Sequence, residues 1–178
     1  ALEAYKLDST KTDALNIIFS IYVFRRDIPS AEKVALEIYE KDPSANNLLM
    51  LGDFYSFFDP KRALEFYQKF DEINSIPEIK AIITRLQLAT GDTLSAINGL
   101  KEIALTNSNP DYAWDYFDLS LYAKSYQNLY YCIDSLIGKY SLKDQTDFLS
   151  SVIYRFYFTQ ELINDETKPF IKFTLNKT

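Results

Sequence analysis

Few side chains in this sequence could do chemistry, and their spacing limits what they can do. Asp111, Asp115 and Asp118 share one face if their stretch is helical, because residues three and four apart are neighbours on a helix. Three carboxylates invite comparison with a calcium site, but a helix cannot wrap oxygens around an ion as a loop does. A solvated acidic face is the better reading, and Glu37, Glu40 and Asp42 are read the same way. The single cysteine, Cys132, stands between Tyr131 and Ile133 and reads as a small buried hydrophobe rather than a nucleophile. The chain has no histidine, which removes the commonest general base and any Cys/His zinc set. No serine therefore has a histidine to activate it, and the four glycines form no phosphate loop. The expectation is no catalytic residue, no metal and no cofactor; the chain does not read as an enzyme.

The charge balance narrows the partners. Net charge is −6 over 178 residues, with no basic stripe. Nucleic-acid affinity rests largely on neutralising phosphates, so nucleic acid is not expected as a partner. The same argument weighs against anionic membrane surfaces, and the apolar runs are too short for direct membrane insertion. The first residues show no charged run followed by an apolar stretch of the targeting kind, and a lone cysteine leaves the compartment open. The triplet Asn176-Lys177-Thr178 matches a glycosylation sequon, a pattern common by chance.

The elements that would position these residues are helices. Apolar residues make up 47% of the chain and there are only 4 Gly and 6 Pro, which favours long regular elements. Leu15, Ile18, Phe19 and Tyr22 follow three-and-four spacing, as do Leu48, Leu51, Gly52 and Tyr55. Asp59-Pro60 and Asn109-Pro110 place a capping residue before a proline at the first helical position. Gly91-Asp92 supplies a stop and a new cap, and Ser75, Pro77 and Glu78 read as a capping box. These signals predict helices at about 11–25, 30–41, 45–57, 60–73, 77–90, 93–106, 110–124, 126–139, 143–160 and 167–175. Connections that short make neighbouring helices antiparallel.

The helices repeat. Pro43, Pro77 and Pro110 lie 34 and 33 residues apart, and Ala31, Ala63 and Ala96 recur at 32 and 33. Leu48, Leu51, Gly52, Tyr55, Ala63, Tyr67 and Pro77 follow the tetratricopeptide pattern, which the chain resembles over about residues 1–140. The preceding repeat matches with Leu15, Ile18, Tyr22, Ala31, Ala35 and Pro43. The third keeps Gly91, Ala96, Leu100 and Pro110; Trp114, Phe117 and Leu121 suggest a fourth. At the small-residue position of the first helix, Phe19, Thr84 and Asp118 replace glycine and should widen those helix crossings.

That resemblance implies an all-α fold, a right-handed α-α superhelix built as a solenoid of antiparallel helix pairs. The implied organisation is a partial repeat at 1–10, repeats at about 11–44, 45–76, 77–109 and 110–140, and a C-terminal helical pair at 141–178 that continues or caps the array. Ala1, Ala4 and Ser9 fall where a second helix would finish, so further helices are expected upstream.

In the resembled family the first helix of each repeat lines the concave face. Carried over, this gives Asn16, Ser20 and Phe24, then Leu49, Asp53 and Phe57. The third repeat offers Ala81, Arg85 and Leu88, and the fourth Tyr112, Asp115, Leu119 and Tyr122. Such a face is aromatic and weakly acidic. With Arg85 its one cation, it does not suit a C-terminal carboxylate; a peptide or helix with apolar anchors and basic flanks fits better. Residues 112–131 hold eight aromatics, of which Tyr112, Tyr116 and Tyr122 are expected exposed. The stretch 143–160 is apolar on most sides and would pack under the helix after Pro169 or on another chain or domain. The implied function is a non-enzymatic scaffold that binds a partner protein or peptide in an assembly. The alternative is an architectural spacer in a large bacterial machine such as a flagellar motor or secretion system.

Overall fold

The computed structural model describes residues 12–136, together with 146, 147, 150–152, 154, 168, 169 and 172. The expected partial repeat at 1–10 and most of the stretches 143–160 and 167–175 lie outside these. Within the first of those stretches, Val152 is buried and Tyr154 exposed.

The described chain is all helix: α1 (Thr12–Phe24), α2 (Ile28–Lys41), α3 (Ala45–Ser56), α4 (Pro60–Ile73), α5 (Pro77–Ala89), α6 (Thr93–Thr106), α7 (Pro110–Tyr122) and α8 (Tyr126–Tyr131). A π-helical turn, Cys132–Leu136, follows α8. No strand occurs among the described residues.

The caps explain where the helices begin. The side chains of Asp59 and Asp92 accept from the backbone N–H groups of Arg62 and Ser95, three residues on, and Asn109 accepts from Asp111. Asp27 caps α2 in the same way through Ser30, which starts that helix two residues before its predicted position. The capping box expected at Ser75–Glu78 does not form. Ile76 occupies the cap position of α5 without a side-chain hydrogen bond, and Pro77 at the first helical position makes the start.

Two compact units divide the chain between Thr90 and Gly91. In the first, α1 packs on α2, α3 on α2 and α4, and α4 on α5. Its core joins Ala31 and Ala35 of α2 with Leu48, Leu51 and Tyr55 of α3 and Ala63, Phe66 and Tyr67 of α4. A smaller cluster sets Leu15 and Ile18 of α1 against Val34 and Ile38 of α2. Each large side chain so buried contributes about 1.5–3 kcal/mol. A polar contact crosses three helices at the edge of this core. Tyr55 donates to Glu32 at 2.8 Å, and Arg62 pairs with the same carboxylate oxygen while its guanidinium lies over the Tyr55 ring.

Gly52 shows why one crossing requires a small residue. A Cβ there would stand 3.1 Å from three atoms of the Tyr67 ring, so the ring of α4 lies against the bare backbone of α3.

In the second unit α7 packs on α6 and α8. It buries Ala113, Tyr116, Phe117 and Ser120, the same spacing as the buried Leu48, Leu51, Gly52 and Tyr55 of α3. Phe117, rather than Asp118, therefore stands where α3 has Gly52.

Candidate binding groove

Between α1 and α3, within the first unit, runs a groove of about 530 Å³. Helix α1 contributes Phe19 and Val23; α3 contributes Asn46, Leu49, Met50, Asp53 and Phe54, with Phe57 just past its C-terminal end. Phe19 meets Phe54 edge to face at 5.5 Å, which sets the floor. Asp53 is the one charge among these residues, and it is held in place. The Tyr67 hydroxyl donates to its Oδ1 at 2.5 Å, a short charge-assisted bond made possible because Gly52 lets the Tyr67 ring lie close. Burial, and then the Asp53 carboxylate, push the Tyr67 hydroxyl well above the ordinary phenol range, so it stays a donor.

A second hollow, of about 590 Å³, lies along α1 and is lined by Asn16, Ile17, Ser20, Ile21, Phe24 and Arg25. Five of these precede residues of the first groove by 33: Asn16 and Leu49, Ile17 and Met50, Ser20 and Asp53, Ile21 and Phe54, Phe24 and Phe57. The same helix face is presented twice, one repeat apart.

No protein-family profile and no curated protein matches the sequence. Solved structures do. A crystal structure of MamA aligns with a TM-score of 0.56 at 20% identity, covering 90% of this chain and 94% of that one. YrrB, described as a TPR protein with an unusual peptide-binding site, gives 0.58 at 16% identity over 83% of this chain and 78% of its own. A tetratricopeptide repeat protein from Parabacteroides merdae ATCC 43184 gives 0.59 at 17% identity, over 93% and 74%. The fold is of the tetratricopeptide-repeat type. At these identities the likeness concerns the fold alone.

Within the tetratricopeptide frame the residues expected on the concave face separate into groups. Leu49, Asp53 and Phe57 come together in the first groove, whereas Asn16, Ser20 and Phe24 line the hollow on α1. What α1 gives to the groove is its other edge, Phe19 and Val23, which sequence reasoning missed. The signal was present, since a groove between successive first helices needs the opposite edge of the earlier one. On α5, Arg85 and Leu88 are exposed and Ala81 is buried.

Helix α7 requires corrections. Leu119, expected on the binding face, is buried, and Tyr116, expected exposed, is 0% exposed. The reason is the one-residue register shift at Phe117. Counted from the buried set, the counterparts of Leu49, Asp53 and Phe57 are Trp114, Asp118 and Tyr122. Tyr112 is half-buried and Asp115 exposed. Three aromatics at matching ends of first helices stand almost free of the protein: Phe24 is 90% exposed, Phe57 88% and Tyr122 79%.

Cys132 is buried, its Sγ 3.6 Å from the Ala113 carbonyl oxygen, and burial pushes the thiol up to about 12. Among the described residues no group of carboxylates and cysteine is arranged to hold a metal ion, and no helix is long and apolar enough to cross a membrane.

Proposed function

We propose that this chain is a non-catalytic binding scaffold that holds a partner protein through the first-helix faces of its repeats, the groove between α1 and α3 foremost. The observation that carries this reading is the exposure of Phe24, Phe57 and Tyr122, one register position repeated along the chain. A large ring left in water gains nothing for folding, while aromatic anchors are rich in binding energy. The groove supports the same reading. At about 530 Å³ and with one charged residue, it falls in the ~300–1,000 Å³ range of clefts that receive ligand groups. The solved YrrB structure, a tetratricopeptide protein with a peptide-binding site, is consistent with such use of the fold.

The test is affinity capture with mass spectrometry, comparing the chain with its triple variant Phe24→Ser, Phe57→Ser, Tyr122→Ser. The three sites are so exposed that the variant's thermal midpoint should stay put. Recovery of specific partners should fall about tenfold or more, as for loss of interface anchors. Unchanged recovery would favour the architectural role, in which the chain spaces or joins other parts of an assembly.

A further inference from the structure

We infer that the α1–α3 groove selects a partner segment that carries a lysine or arginine beside its apolar anchor, with the Asp53 carboxylate as the acceptor. This rests on the groove being a binding site, as proposed above, and adds the chemistry of its occupant. Charge complementarity carries it. Of the groove residues, Phe19, Leu49, Met50 and Phe54 offer apolar surface, and Asp53 alone offers charge. Its Oδ1 is committed to Tyr67, which fixes the carboxylate on the exposed face of α3. Among the described residues nothing donates to Oδ2, so that oxygen is left to accept from a partner. An anchored carboxylate loses little side-chain freedom on pairing, which is the usual cost of an exposed ion pair. Register sharpens the point. The position equivalent to Asp53 is Ser20 on α1 and Arg85 on α5, so within the first unit the carboxylate acceptor belongs to this groove and not to the hollow along α1. An acidic or phosphorylated segment would meet repulsion here, and a purely apolar one would leave the carboxylate unpaired beside it.

The experiment is selection of a random-peptide display library on the intact chain and on its Asp53→Asn variant. Synthetic amidated peptides follow, identical except for arginine or citrulline at the selected position. The intact chain should enrich sequences that set Lys or Arg within a few positions of an apolar residue. Replacing arginine by citrulline should weaken binding about threefold to tenfold, the difference shrinking as salt is raised. On Asp53→Asn the apolar preference should persist while the arginine–citrulline difference vanishes. Enrichment of apolar residues without a basic neighbour, or an arginine preference that survives Asp53→Asn, would overturn the inference and leave the groove standing. Enrichment of no apolar residue on either protein would overturn the groove as well.

Discussion

One short chain of causes links a backbone position to the groove. Gly52 carries no side chain, so the Tyr67 ring lies on α3, and its hydroxyl reaches Asp53. Gly52→Ala should gain about 1 kcal/mol of helix propensity but crowd a buried ring, at ~1–3 kcal/mol for overpacking. The expected net result is a loss of about 1 kcal/mol, read from the urea midpoint. Tyr67→Phe keeps the ring and releases Asp53. Its signature should be a smaller arginine–citrulline difference with little change in affinity for the citrulline peptide, which calorimetry would show. Cys132 makes a separate prediction. A thiol buried and raised to about 12 should react with a thiol reagent at neutral pH only after denaturant opens the unit. Fast native labelling would contradict its burial. Much of this was visible in the residues, since Gly52, Tyr67, Asp53 and Cys132 stand out by type and spacing. The hydrogen bond from Tyr67 to Asp53 was not, because it depends on how closely α3 and α4 approach.

At the scale of elements, three turns between paired helices share a device that the α3–α4 turn lacks. Arg26, Gly91 and Lys124 all have positive φ, at 57°, 90° and 54°. After Arg26 and Lys124 the next backbone N–H closes back five residues, Asp27 to Tyr22 and Ser125 to Ser120. Side chains bear a cost there that glycine avoids, roughly 1 kcal/mol per residue. Arg26→Gly and Lys124→Gly should each raise stability by a few tenths to about 1 kcal/mol, while Gly91→Ala should lower it, all measurable by chemical denaturation. The Glu32–Tyr55–Arg62 contact joins α2, α3 and α4 and predicts a pH effect. The Tyr55 hydrogen bond, aided by Arg62, holds the Glu32 carboxyl below its ordinary value of 4.5. A depressed folded-state value means stability that is present above the unfolded value and lost as pH falls through the folded one. Glu32→Gln should thus cost up to ~1 kcal/mol at neutral pH and flatten the acid side of the stability profile.

The elements themselves were legible because prolines and capping acids mark helix starts in local sequence. Ile76 shows the limit, since proline alone began α5 where a capping box was expected. Register on α7 was not legible. Aromatics and leucines crowd that helix, so periodicity admits two phases one residue apart, and packing on α6 and α8 selects the one that buries Tyr116 and Leu119.

For the whole chain, the repeat spacing and the scarcity of Gly and Pro already described stacked helices, and the lack of histidine led to the expectation of binding rather than catalysis. The tetratricopeptide-type fold agrees with the first half of that description. What spacing alone could not show was the groove, because a groove is made by two helices and its far wall, Phe19 and Val23, belongs to the neighbouring repeat. The docking site proposed for partners is the first-helix face of the α1–α3 groove. It is tested most directly by placing a photo-crosslinking phenylalanine analogue at Phe57, and separately at Glu65 on the exposed side of α4, then irradiating the protein with its captured partners. Adducts from position 57 and none from position 65 are the expected result. Adducts from position 65 with none from position 57 would contradict it.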